Sequence, residues 1–132
     1  MKDAIKCAFF WIRVLSSGPQ FRRNCLSKAS MKVLSSEDTL REISPLSLSE
    51  IAIKHAKGKL KFPREYVYAA ISELRARVLG YTSTHASRLF DVPQHHADPF
   101  DRMIIAQALA EEIPIVTSDS QFKLYRDVEV IW

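Results

Sequence analysis

The chain reads as an α/β domain built on a mostly parallel sheet. Two observations predict this. Short apolar runs suited to buried strands recur along it, at residues 4–8, 113–117 and 128–132. Between them lie longer segments whose apolar residues return every three or four positions, the helical period. Strands that alternate with helices pair in parallel, because each helix carries the chain back to start the next strand in the same direction.

Taken in order, the first strand is expected over residues 4–8, leading into a short helix over 9–15 that Gly18-Pro19 breaks. Residues 24–34 carry Leu26, Ala29 and Val33 at helical spacing, and 35–39 form a polar loop. A second strand is expected over 40–46, with Pro45 near its end, where a missing donor is tolerated. Ser47 then caps a helix over 48–57, and Gly58 ends it in the left-handed region. Pro63 opens a longer helix to about residue 78, which Gly80 stops. Tyr81-Thr82 is expected as a short strand and 84–90 as a short helix. In the helix that follows, Asp98 suits the N-cap, Pro99 the first position and Asp101 the third. Phe100, Ile104 and Ala108 line its buried face, widened by Ile105 and Leu109. The run 113–117 is a buried strand, Phe122 and Tyr125 lie on a short helical turn, and 128–132 is the last strand.

The 132 residues suffice for one domain with a real core and are too few for two ordinary ones, so 1–132 is read as one unit. Hydrophobic residues make up 47% and charged residues 26%, the balance of a soluble globular chain. Net charge is +4, compatible with a nucleic-acid partner without demanding one. Cys7 and Cys25 are too few for a disulfide framework or a zinc cage, and reduced thiols in a cytoplasmic protein are expected. The apolar run 7–12 is far below membrane-spanning length. Three glycines leave no glycine-rich phosphate loop, and no Ser–His–Asp or Cys–His arrangement is visible.

The remaining chemistry lies in acids. Glu50, Asp101 and Asp119 each fall at a helix start or just past a strand end. In a parallel sheet such positions share the rim at the carboxyl ends of the strands, where ligands bind. Each acid also has a plain alternative as a helix cap; Ser47-Leu48-Ser49-Glu50 fits a capping box, and Asp98 with Asp101 comes close to one. Three acids converging on one rim would repel one another unless a cation neutralised them. Mg²⁺ or Mn²⁺ suits such hard oxygen ligands, polarising a phosphate and activating water. His95 and His96 precede Asp98 as loop residues on the approach, with a metal or phosphate role as the alternative. Lys54, Lys57, Lys59, Lys61 and Arg64 form a basic patch that could hold a nucleic-acid backbone or simply suit a helix end. Phe9, Phe10 and Trp11 read as core or interface, with base stacking as the alternative.

Three stretches carry a family resemblance. They are Ser49-Glu50-Ile51-Ala52-Ile53-Lys54 with Gly58-Lys59-Leu60, then His95 through Ala108 with its Ala97-Asp98-Pro99-Phe100-Asp101-Arg102 core, and Val116-Thr117-Ser118-Asp119 with the closing Val130-Ile131-Trp132. From about residue 25 to the end, the chain closely resembles PIN-domain ribonucleases of the VapC toxin type. The resemblance implies a three-layer α/β domain, with helices on both sides of a central parallel sheet. It further implies RNA cleavage dependent on Mg²⁺ or Mn²⁺, homodimers, and a VapB-type antitoxin as partner. By motif, Glu50, Asp101 and Asp119 would be the metal-binding and catalytic acids, with Asp98 and Thr117 supporting them.

Residues 1–24 diverge from that family, which opens with a strand ending in an aspartate. Counting back from Trp11 puts that aspartate's place at Ile5, with Lys6 where threonine is expected. Asp3 lies two residues earlier, about 6–7 Å away at strand rise, too far to substitute. Loss of one ligand should weaken metal binding and catalysis. The alternative function is a non-catalytic module of the same fold that binds antitoxin or RNA.

Overall fold

Every strand pairs in parallel with its neighbours, as the alternation of strands and helices requires. The structure, a computed structural model, describes residues 5–9 (as backbone), 27–37, 39–59, 63–95, 97–117 and 119–132. The strands are β1 (Ile5–Phe9), β2 (Thr39–Ile43), β3 (Arg77–Val78), β4 (Ile115–Val116) and β5 (Val130–Ile131), in the order β3-β2-β1-β4-β5. Phe9 pairs with Ile43 on one side and Val116 on the other, and Val116 pairs with Ile131. The expected helix at 9–15, most of the region 1–24, and residues Cys25, Lys61, His96 and Ser118 lie outside the described residues.

Helices cover both faces of the sheet, and period-2 alternation decides which residue meets which layer. Val116 and Ile131 pack with Leu34, Ile43, Ile51, Val67, Ala70 and Ile71 on one face. Ile115 and Val130 pack with Ile104, Ile105, Ala108, Phe122 and Tyr125 on the other. Each adjacent pair on β4 and β5 therefore splits between two cores, which makes the domain three-layered. Full burial of one such large side chain stabilises the fold by roughly 1.5–3 kcal/mol.

The helices are α1 (Lys28–Ser35), α2 (Pro45–Ala56), α3 (Arg64–Glu73), α4 (Ser83–Arg88) and α5 (Pro99–Glu111). Short 3₁₀ helices occur at Leu89–Asp91 and Ser120–Leu124. Arg41 on β2 closes the end of α1, its Nε donating to the Leu34 carbonyl at 2.7 Å and Nη2 to the Ser36 carbonyl at 2.9 Å.

Three expected boundaries are corrected. The second strand ends at Ile43, and Pro45 opens α2 with Ser44 as its N-cap, accepting from the Leu46 N–H at 3.2 Å. Proline at the first helical position lacks a donor that would have had no partner there, so Ser44-Pro45 outcompetes Ser47 as the start. The long helix expected to reach residue 78 stops at Glu73, because Arg75 turns left-handed with φ 53°. The Ala76 N–H then reaches back to the Ile71 carbonyl at 3.1 Å, a C-terminal closure that releases the chain as β3. Hence the strand expected at Tyr81-Thr82 is Arg77–Val78 instead, and Thr82 is the N-cap of α4. Arg77 holds that edge strand to β2 by pairing with Glu42, which lies directly opposite it and is buried.

Candidate active site

Strand order locates the crevice before any side chain is considered. From β1 the chain steps outward to β2 and β3 on one side, then crosses back to β4 and β5 on the other. β1 and β4 are thus neighbours whose connections leave in opposite directions, the switch point at which open α/β sheets bind ligands. Its rim is the carboxyl end of the strands, at Phe9, Ile43 and Val116. α2 leaves this rim through Ser44. α5 feeds β4 from the opposite direction, so its first turn returns to the same rim.

Glu50 sits at the sixth position of α2, not the third, because the helix begins three residues earlier than its sequence suggests. The capping-box explanation of this acid therefore fails. The residue is 6% exposed, and Lys54, one turn on, places its Nζ 3.4 Å from Oε1. Oε2 is buried without a hydrogen bond among the described residues. Burial pushes the Glu50 carboxyl above its ordinary range; Lys54 opposes that shift and the negative charge of Asp98 adds to it. Glu50 and the start of α5 thus share an electrostatic environment, although Glu50 and Asp98 are 48 positions apart along the chain.

Asp98 caps α5 as its sequence suggests, accepting from the Phe100 N–H at 2.9 Å and the Asp101 N–H at 3.2 Å. Asp101 is buried at the third helical position. Thr117, buried at the exit of β4, accepts the Asp119 N–H on Oγ1 at 3.1 Å. Asp119 in turn caps the next 3₁₀ turn, accepting from the Gln121 N–H at 2.9 Å. Capping thus accounts for hydrogen bonds of Asp98 and Asp119 and leaves Glu50 unexplained. Among the described residues no three His, Cys, Asp or Glu side chains form a group spaced to hold a metal ion. The fold brings Glu50 into the field of Asp98, and Asp98 to Asp101. Asp119 follows β4 on the same rim without joining them in one cage.

The expectation for Ile5 is corrected by the strand register. Ile5 pairs with Thr39, the first residue of β2, and so begins β1 at the end remote from the rim. Four residues at strand rise place it about 13 Å from Phe9. The rim position of β1 is Phe9, and the whole strand, Ile5-Lys6-Cys7-Ala8-Phe9, holds no acid.

Of the basic patch, Lys54 pairs with Glu50, while Lys57 and Lys59 are exposed around Gly58. His95 is exposed and packs edge-on against the Tyr125 ring, centroids 4.8 Å apart, the loop role expected of it. Sequence reasoning passed over Phe90, Gln94 and Arg102, which line a cavity next to the first turn of α5. No local pattern marks them, because Leu89 and Val92 beside Phe90 are apolar as well.

A parallel sheet of this order, with helices on both faces and acids near its switch-point rim, defines a doubly wound α/β fold. The PIN domain family matches residues 10–128, and the chain belongs to it. The same fold occurs in a chain of the crystal structure of VapBC2 from Rickettsia felis bound to a DNA fragment from their promoter, at TM-score 0.72 and 14% identity, covering 96% of this chain and 97% of that one. It also occurs in DNA-bound VapBC from Salmonella typhimurium, at TM-score 0.65 and 16% identity, covering 96% of each chain. No curated protein matches by sequence. Among the described residues no helix is long and apolar enough to cross a membrane.

Proposed function

We propose that the chain is a divalent-metal-dependent endoribonuclease, the toxin of a VapBC-type pair, acting as a homodimer with a VapB-type antitoxin as partner. One observation carries this reading. The Glu50 carboxylate is buried, lacks a hydrogen bond on Oε2 among the described residues, and lies in the field of Asp98 at the switch-point rim. Burying a carboxylate in that state costs free energy that capping does not return. A hard cation beside it would offset the cost, and carboxylate oxygens are the donors Mg²⁺ and Mn²⁺ prefer. Glu50 and Asp101 are the residues that would hold the ion, and Asp119, on the same rim but outside their group, would have to move toward them to join.

Bound there, the ion would supply Lewis-acid polarisation of a phosphodiester and activation of water. The chain's own residues do the rest. Asp98 fixes the first turn of α5 and with it the placement of Asp101. Thr117 fixes the backbone of Asp119. Lys54 partly neutralises Glu50 while no cation is present. Lys57 and Lys59 lie exposed where they could meet the phosphate backbone of an RNA.

A second reading is favoured by the absence of any acid from β1. In it the chain keeps the fold and binds antitoxin or RNA without cutting. Incubation of labelled single-stranded RNA with the protein and Mn²⁺, beside Asp101→Asn, decides between them. Cleavage that Asp101→Asn lowers by about a hundredfold or more supports the nuclease. An Asp101→Asn protein as active as the parent overturns the mechanism, and RNA binding without turnover establishes the second reading.

A further inference from the structure

The 3₁₀ turn Leu89–Asp91 holds Phe90 out into solvent, 93% exposed, while Val92 beside it is only 5% exposed. Leu89 packs into the core below, so the turn is anchored on both sides of the projecting ring. Tyr68, the next most exposed of the large apolar side chains described, reaches only 58%. Beside the ring lies a cavity of about 520 Å³ lined by Ala86, Leu89, Phe90, Val92, Gln94 and Arg102. Arg102 enters it from the first turn of α5, immediately after Asp101. Its Nη2 donates to the Val92 carbonyl at 3.1 Å, while its Nε has no hydrogen bond among the described residues. One recess therefore combines an aromatic face, a side-chain amide and a guanidinium.

We propose that this recess binds a nucleobase of single-stranded RNA next to the cleavage site, a proposal that rests on the RNA-cleaving reading above. A planar base stacks on Phe90, a contact open to all four bases because each has a π face. The Gln94 amide can donate to and accept from a base edge. The Arg102 guanidinium adds a donor and a cation that a π system or a neighbouring phosphate can use. A phosphate alone would leave the ring in water. An aliphatic peptide side chain would offer the Gln94 amide and the Arg102 guanidinium no polar partner. A base with its attached phosphate answers all three groups, and the chain's net charge of +4 favours a polyanion.

The test uses the full chain in EDTA, so that RNA is bound without being cut. Affinity for a fluorescein-labelled single-stranded RNA of mixed sequence is read by fluorescence anisotropy, with Phe90→Ala and Phe90→Trp beside the parent. At 93% exposure these substitutions should leave the thermal melt unchanged. Phe90→Ala should raise Kd at least about fivefold, the loss of one base–aromatic stack. Phe90→Trp should keep the affinity, and its added indole emission should be quenched by the RNA. The same sequence as a duplex, with its base faces hidden, should bind more weakly. Equal affinity of Phe90→Ala and parent, or of single strand and duplex, overturns the subsite. So does a Phe90→Ala that changes the sedimentation of the protein while RNA affinity stays intact, which would make the ring a protein interface. Cleavage with Mn²⁺, measured in parallel, separates the two readings. A parent that cuts RNA but tolerates Phe90→Ala loses the subsite alone; one that binds through Phe90 without cutting loses the nuclease alone; one that does neither loses both.

Discussion

Glu50 shows most plainly how a position in the fold changes what a residue can do. On the sequence it is the fourth residue of a Ser-x-x-Glu string and has an ordinary capping role available. In the fold it is buried, partly neutralised by Lys54, and raised in pKa by burial and by Asp98. The sign of the resulting pH dependence follows. Between its ordinary pKa and the raised folded value, Glu50 binds more protons in the native state than in the unfolded state, so stability falls as pH rises through that window. Urea titrations of metal-free protein across acidic to neutral pH should show this decline, and Glu50→Gln should flatten it. Mn²⁺ should reverse the penalty. At about a hundredfold its Kd, one bound ion adds about 2.7 kcal/mol to the parent, and the gain should be sharply reduced in Glu50→Gln. An equal gain in both proteins would remove Glu50 from the metal site.

At the scale of elements, two caps shape the rim. Ser44-Pro45 fixes where α2 begins and so how far along it Glu50 lies. Ser44→Ala should cost about 1 kcal/mol in urea denaturation. Asp98 does two things that substitution can separate, since its side chain caps α5 while its charge acts on Glu50. Asp98→Asn keeps an N-cap oxygen and removes the charge. Stability at neutral pH should change by less than about 1 kcal/mol, and the pH at which Glu50 titrates should fall. A carbon-13 carboxyl titration followed by NMR checks the second expectation, and an unmoved Glu50 would mean that Asp98 acts only as a cap. The α5 start was legible because Asp98, Pro99 and Asp101 each favour the same register. The end of α3 was not, because no residue type announces a left-handed arginine; Arg75 adopts that conformation where the chain must turn to bring β3 beside β2.

On the scale of the whole molecule, the sheet is held between two cores, and β4 serves both because Ile115 and Val116 face opposite ways. Phe122 is fully buried in the core beneath α5. Phe122→Ala should cost about 3–5 kcal/mol through lost contacts and the cavity left behind. Because that core also carries α5, the first turn with Asp98 and Asp101 should loosen with it, and hydrogen exchange along α5 would report the change. A loss confined to the 3₁₀ turn would show that α5 holds its place without this core.

The sequence by itself determined the α/β class, the parallel sheet, the caps of α5 and the likeness to VapC-type PIN domains, and it singled out Glu50, Asp101 and Asp119. These depend on hydrophobic period, on local hydrogen bonds between residues a turn apart, and on short motifs, all of which act within a few residues. Only the tertiary structure decided that Glu50 lies in the field of Asp98, that Ile5 belongs to the far end of β1, and that Phe90 and Arg102 share a recess. Those facts depend on strand order, register and burial, which arise when segments distant along the chain pack together, and no local pattern records them.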